Sequence, residues 1–490
     1  MLDANRIFLA HLTIYTNKHN NVNFMNSNSP LFKKNAVTSL NNQQLQEALA
    51  RAKSGFIDKR RKAMAAFPEF DTLRQQAKTI KDHTLKYLDF YLEQFEEKVT
   101  EHGGQMHWAK SAEEACKYIV DICQSVDAQS ITKGKTMIGE EVGLNAALEK
   151  AGLTVTETDL GEYIIQLAKE PPSHIIAPAV HKTREQIAEL FQKHHQKPVQ
   201  TEIPALVAEA RAVLREKFLA ADVGITGANF LVAETGSVVL ITNEGNGDLT
   251  NTLPRTHIVI TSIEKVVPTL EDLTAILRLL GRSASGQAMT AYSTLSTGPK
   301  RPEEKDGPEN FHIILVDNGR SHLLGGEFQD MLRCIRCGAC LNHCPVYGSI
   351  GGHAYGWVYP GPMGSILTPL LSGLPTSCDL PNASSLCGRC QDMCPMHIPL
   401  PRMLRTLRNQ AHEQKLTSWY MRWPLSAWAW LATRPKLYRT TMSLTIWVMK
   451  KLGHQGKFSY LPLAGGWTNS RDFPAPQGQT FMSQWKNRSS

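Results

Sequence analysis

Cys334-Ile-Arg-Cys337-Gly-Ala-Cys340-Leu-Asn-His-Cys344-Pro345 is the stretch on which the reading of this chain turns. Its C-x2-C-x2-C-x3-C-P spacing is that of a cubane iron-sulfur site. Three thiolates on a tight turn take three irons of one [4Fe-4S] cube, and the fourth cysteine, turned away before proline, reaches a second cube. A partial copy follows at Cys387, Cys390 and Cys394-Pro395. The swap gives one cluster Cys334, Cys337, Cys340 and Cys394, and the other Cys344, Cys387 and Cys390. The eighth ligand does not follow from the spacing. A full second copy needs Cys at position 384, where the chain has Ser384, and the nearest upstream thiol, Cys378, is the candidate.

Disulfides and zinc are the competing uses of these thiols. A disulfide scaffold suits a small secreted chain, whereas here eight of ten cysteines fall within 61 positions of a 490-residue protein. Zinc takes a closed set of four ligands, commonly two separated pairs, and has no use for two runs each ending in Cys-Pro. Cys116 and Cys123 differ from the rest. They share the apolar side of a helix-period segment with Ala112, Ile119, Ile122 and Val126, and read as buried core thiols.

Working outward, 42% apolar and 20% charged residues are ordinary globular composition, and the length predicts two to four domains. No apolar run approaches a membrane span; Ile7 to Tyr15 and Met442 to Met449 are too short. Residues 1–24 read as a disordered extension with Met25 as an alternative start, and 25–72 as a helical segment. From 73 to 318, helix-period segments (112–126, 182–195, 203–221) alternate with strand-like ones (153–158, 174–180, 222–243, 257–263, 312–316). Such alternation implies βαβ units and a mainly parallel sheet. A turn-rich loop at 297–310 precedes the last strand. The cluster module spans 319–410, and its Gly- and Pro-rich stretch between Cys344 and Cys387 is expected to wrap as ordered loop.

The tail, 411–490, is basic and rich in tryptophan. From residue 401 onward there are 14 Lys or Arg against two acids, and seven of the nine Trp. That pattern suits an anionic membrane surface, an acidic partner, or tryptophans clamping the tail to its own domains. No nucleic-acid reader motif accompanies the charge. Oxygen-sensitive cubanes fit a reducing cytoplasm, with peripheral contact to the inner face of the cell membrane through the tail.

In the α/β region the densest polar stretch runs from Gly224 to Asp248. Gly224 and Gly227 permit close backbone approach, and Glu234-Thr-Gly236 forms a tight turn whose carboxylate is the candidate catalytic group, set against a solvated carboxylate or one paired with Arg255. Asn243 to Asp248 offers donors for an anion. Lys133, Lys135, Glu140, Glu141 and Asn145 form a second polar knot, read either as an anion site or as a helix start enriched in acids. His174, His181, His257 and His353 lack ligand spacing. No G-x-G-x-x-G opens a helix, and no flavin or nicotinamide site is visible.

Together, Lys133-Gly-Lys135 with Glu140 to Asn145, Ser173 to Pro178 with His181 to Arg184, and Gly224 to Asn246 resemble the lactate-utilisation domain. With the cysteine runs, Gly351-Gly-His-Ala-Tyr-Gly-Trp357 and Asp472-Phe-Pro-Ala-Pro476, the chain from about residue 50 to its end is similar to the iron-sulfur B family of the bacterial three-protein L-lactate utilisation system. The resemblance implies a CoA-transferase-like α/β fold, then an α-helical, bacterial-ferredoxin-like module holding two [4Fe-4S] clusters. It also implies two sister subunits, an unidentified electron acceptor, and a role in oxidising L-lactate to pyruvate. Ligation carries over to Cys334, Cys337, Cys340, Cys394, Cys344, Cys387 and Cys390, but not to Cys378. Two other readings stay open: the electron-transfer subunit of another 2-hydroxy-acid dehydrogenase, or an iron-sulfur redox or oxygen sensor with a ligand-binding α/β domain.

Overall fold

In the computed structural model, residues 27–461, 468, 471–476 and 478–488 are described. The extension 1–24 lies outside the described residues. The chain divides into two compact units, Met1–Ala411 and His412–Ser490.

The first unit is built on strands β1 (Gln105–Ala109), β2 (Ser130–Lys133), β3 (Thr154–Glu157), β4 (Val223–Gly227), β5 (Phe230–Val232), β6 (Ser237–Thr242), β7 (Thr256–Ser262), β8 (Val266–Val267), β9 (Tyr292–Ser296) and β10 (Asn310–Val316). Six of them form a sheet in the order β1-β10-β7-β4-β2-β3, parallel at every pairing. A parallel sheet is covered on both faces, so its strands read as continuous apolar runs. The central strand β7 is buried along its whole length. Alternate residues serve opposite faces: Ile258 and Ile260 pack with Ile119, Ile131 and Leu144 under the helices Ala112–Ser125 and Leu144–Lys150, while Val259 joins Leu92, Phe95 and Phe311 under the helix Leu88–Glu101. On that second face sits a smaller mixed sheet, β8-β5-β6-β9.

Cys123 is fully buried and Cys116 is packed beside it, in the apolar core the helix periodicity predicts. Gly224 allows the close approach expected of it: a Cβ there would stand 1.9 Å from the Thr250 carbonyl oxygen.

Two expectations are corrected. Residues 174–180, read as a buried strand, are irregular. Pro178 O takes both the N–H and the hydroxyl of Ser173, and the His174 ring accepts the N–H groups of Ile176 and Ala177, so these groups close local turns instead of joining a ladder. The stretch between Cys344 and Cys387, expected to be loop, contains the helix Gly361–Ser372. Pro362 falls in its first turn, where a missing N–H costs nothing.

The cluster module is otherwise short helical turns, closed by the helix Leu400–Glu413, whose Leu400, Met403, Leu404 and Leu407 are buried. N-terminal helices lie across it. Arg60 and Arg74, from the helices Gln43–Ala65 and Phe70–Lys86, donate to the carbonyls of Met393 (2.9 Å) and Cys394 (2.7 Å).

The second unit contains the helices Trp419–Ala432, Pro435–Leu452 and Phe481–Arg488. Trp419, Trp423, Trp428, Trp430, Trp447 and Trp485 are exposed. Arg434 lies over Trp430 and Lys451 over Trp447. Among the described residues no helix is long and apolar enough to cross a membrane.

Candidate iron-sulfur and ligand site

The two cysteine turns have the same backbone. In the first, Arg336 (φ 57°) and Gly338 (φ 73°) flank Cys337 in the left-handed region, and the helical turn Ala339–Asn342 follows. In the second, Leu386 (φ 56°) and Gly388 (φ 86°) flank Cys387, and Arg389–Asp392 follows. Left-handed residues on both sides of a cysteine coil the chain so that thiols and N–H groups converge inward.

The thiols gather into two groups. Cys334, Cys337, Cys340 and Cys394 line one cavity with apolar walls that include Met331, Leu341, Met363 and Ile398. Burial pushes the Cys337 thiol up to about 12, with Cys394 and Cys334 adding to the effect. Cys340 is raised by burial and then by Cys334, Cys337 and Cys394, with Cys390 of the second turn adding last. In the other group, burial raises Cys344 and Cys387 adds to it, while Cys390 is pushed up to about 12 by burial and by Cys344. Cys387 is the exposed member and is lowered, chiefly by the Arg389 N–H and then by Ser385.

This donor set fits the clusters. Thiols so crowded and dry hold their protons unless a metal takes the sulfur, and metal binding releases them. Backbone N–H groups already aim at the sulfurs: Ile398 N reaches Cys394 Sγ at 3.5 Å, and Val346 and Tyr347 donate to Cys344. Such bonds tune cluster potentials. Cys378 does not line the first cavity. Burial raises its thiol, Asp379 adds and Lys33 opposes, and no cysteine acts on it. Those two neighbours form their own ion pair at 2.8 Å.

A second cavity, of about 350 Å³, opens at the carboxyl ends of β2, β4 and β7, where open parallel sheets bind ligands. Gly134 and Lys135, Gly227, and Thr261 and Ser262 continue from these three strands into its wall. Its far wall is the first cysteine turn, and Ile335, Arg336 and Cys337 line both cavities.

Buried charges surround this junction. Arg320 donates to both oxygens of Glu141, at 2.8 and 2.6 Å, and pairs with Glu264 at 3.1 Å. Asn318 (2.7 Å) and Tyr359 (2.6 Å) also donate to Glu141. Glu264 meets Arg336 at 3.4 Å, and the Arg336 guanidinium lies over the Tyr359 ring. Burial alone would raise the Glu264 carboxyl, but Arg320, Arg336 and Lys265 hold it at about 2. Burial lowers Lys265 to about 8, with Arg336 adding.

The polar knot resolves into ion pairs. Lys133 meets Glu157 at 2.8 Å and Glu140 at 3.1 Å, Asn145 donates to Glu157, and Thr136 caps the helix Met137–Val142. Glu234 is exposed and accepts the Leu270 N–H at 3.0 Å, at the start of the helix Leu270–Ala284. Arg255 pairs instead with Glu309 at 2.6 Å. The histidines are tied locally: His257 to Thr226, His181 to Glu170, His353 to the Pro171 carbonyl, and His174 to Asn342. Arg60, Arg74, Lys265, Arg320, Arg336 and Tyr359 escape a sequence reading. Lys265 has no hydrogen-bond or ion-pair partner among the described residues, and the partners of the others lie far along the chain and carry no spacing signature.

Family models match three successive stretches of the chain: the LUD domain over residues 92–316, the 4Fe-4S dicluster domain over 330–398, and the C-terminal region of lactate utilisation protein B over 406–490. The chain is 43% identical over 470 residues to Lactate utilization protein B of Bacillus licheniformis, covering 93% of this chain and 96% of that one. With the protein of the same name from Bacillus velezensis the identity is 44%, covering 93% and 97%. The Escherichia coli protein named "Uncharacterized electron transport protein YkgF" is 42% identical, covering 90% of this chain and 93% of its own.

Proposed function

We propose a function from one established premise: the chain belongs to the lactate utilization protein B family. It carries two [4Fe-4S] clusters and is the iron-sulfur electron-transfer component of a lactate-utilisation system, not its catalytic dehydrogenase. Within that role, Cys334, Cys337, Cys340 and Cys394 hold one cluster, and Cys344, Cys387 and Cys390 hold three corners of the other. The observation that carries the assignment is the cavity lined together by Cys334, Cys337, Cys340 and Cys394, which brings Cys394 of the second turn to the first; Cys344, Cys387 and Cys390 act on one another.

When bound, the clusters pass electrons one at a time. Lactate oxidation releases two, so the two clusters that these cysteines would hold would let a two-electron donor be drained stepwise. The chain's own contribution is to keep the first cluster dry behind Met331, Leu341 and Met363, to aim N–H groups at the sulfurs, and to fix the Cys394 turn through Arg74. The α/β domain is CoA-transferase-like in this proposal, and sister subunits supply the hydride and proton chemistry. Glu234, exposed and engaged with Leu270, is weak as a catalytic group. The exposed tryptophans and basic residues of the second unit suit an acidic partner or an anionic membrane face.

The test uses the purified chain with reconstituted clusters. Reduced chemically, it should pass electrons to an artificial acceptor, and supplied with L-lactate alone it should show negligible turnover. Robust lactate oxidation by the isolated chain would overturn the proposal.

A further inference from the structure

We infer that the cavity at the carboxyl ends of β2, β4 and β7 is a binding site for a small organic carboxylate, held by Lys265 and Arg336 against the first cysteine turn. This rests on the electron-transfer role, because it places the ligand beside the first cysteine turn while the sister subunits supply the hydride and proton chemistry.

Four observations support the site. The volume, about 350 Å³, falls in the range of small-molecule pockets. The Lys265 ammonium lines it and makes no hydrogen bond or ion pair among the described residues. Arg336 keeps capacity as well, since its single carboxylate contact, to Glu264, is long at 3.4 Å. Thr261 is 1% exposed, lines the cavity, and its hydroxyl has no partner among the described residues, so a ligand oxygen there would satisfy it. The acids on the wall are already engaged: Asp159 caps the helix Leu160–Ala168 through the Gly161 and Glu162 N–H groups, and Glu244 accepts from the Leu160 N–H. The uncommitted charge facing the cavity is therefore positive.

Calorimetry on the anaerobic, cluster-loaded chain with L-lactate, pyruvate and inorganic phosphate tests this. At least one of the two carboxylates should bind, Lys265→Met should weaken it tenfold or more, Lys265→Arg should recover most of the loss, and Thr261→Val should weaken it severalfold. The bound acid should also shift the EPR signal of the cluster lost or converted in Cys334→Ala, and leave the other signal alone. Binding of phosphate without either acid, or of no anion at all, would overturn the assignment, as would unchanged affinity in Lys265→Met. Failure of the electron-transfer role would appear differently, as clusters that no acceptor reoxidises while the acid still binds.

A separate observation carries a second inference: we propose that Ser384 Oγ is the fourth ligand of the second cluster. Ser384 occupies in the second turn the place of Cys334 in the first, three residues before the middle cysteine, with the left-handed Leu386 matching Arg336. Its hydroxyl accepts the Leu386 N–H at 3.1 Å. Arg408 fixes the turn by donating to the carbonyls of Ser384 (2.6 Å) and Pro381 (2.9 Å). As the iron–oxygen bond forms, the hydroxyl proton leaves to solvent. Iron and sulfide content with EPR of three variants decides. Ser384→Ala should lose one iron of about eight and convert one cluster to a three-iron form, whereas Ser384→Cys and Cys378→Ala should keep the full complement. Two intact clusters in Ser384→Ala, or the loss appearing in Cys378→Ala, would overturn it.

Discussion

Removing Arg320 separates the worth of a buried ion pair from the cost of breaking it. Its side chain is 1% exposed and that of Glu141 0%, so neither charge can turn to water when its partner is lost. In Arg320→Met the Glu141 carboxylate keeps Asn318 and Tyr359 as donors but loses its one ion-pair partner among the described residues, and Glu264 is left with Arg336 at 3.4 Å. Orphaning a buried charge costs about 3–5 kcal/mol, a factor of roughly 10²–10⁴ in the folding equilibrium. Glu141→Gln should cost less, about 1–3 kcal/mol, because Arg320 then retains Glu264 at 3.1 Å. The double variant Arg320→Met/Glu141→Gln removes both charges, and replacing a buried pair is far cheaper than halving it, so it should recover at least half of the single-variant loss. Anaerobic denaturant titrations, followed by Trp108 and Trp357 in variants lacking the other tryptophans, provide the readout. A double variant as unstable as Arg320→Met would refute the orphan-charge argument and assign the loss to packing.

Four further outcomes are expected. Cys334→Ala and Cys394→Ala should each abolish or convert the same cluster signal and spare the other, whereas Cys344→Ala should act with Cys387→Ala; any other grouping in EPR would break the swap. His257, fully buried and lowered to about 3 by burial, stays neutral in the fold, so its contribution is present above pH 6.5 and is lost as pH falls toward 3, at up to about 1.4 kcal/mol per pH unit. Wild type should lose stability more steeply than His257→Gln between pH 6 and 4, and parallel profiles would contradict this. Gly224→Ala drives a Cβ to 1.9 Å from the Thr250 carbonyl and should cost at least about 1–3 kcal/mol in a thermal melt, whereas Gly152→Ala, with nothing within 4 Å, pays only for its positive φ. If the tail meets a membrane, the intact protein should float with anionic vesicles at low salt and be released at about 1 M, where the screening length falls to about 3 Å.

How legible the site was depended on how local each requirement is. A cubane fixes its ligands within a turn, so Cys334, Cys337 and Cys340 are readable from spacing, and the exchange of Cys344 and Cys394 follows from the proline after each. The central strands were readable because a sheet covered on both faces needs uninterrupted apolar runs such as His257-Ile-Val-Ile260 and Phe311 to Val316. The same rule misled at His174 to Val180, where an apolar run bounded by prolines spends its hydrogen bonds on Pro178 and the His174 ring. Nothing local marks the pairing of Glu141 with Arg320, 179 positions away, or the reach of Arg74 to Cys394, 320 positions away, since one guanidinium in a helix reads as a solvated face until the fold buries it. The junction of the two cavities is the extreme case. Lys265 follows one strand and Arg336 sits in a cysteine turn, and each has an ordinary explanation alone. A site emerges only when the α/β sheet ends are set against the cluster module, which is why the chemistry of this chain is written in its cysteines and its ligand selectivity is not.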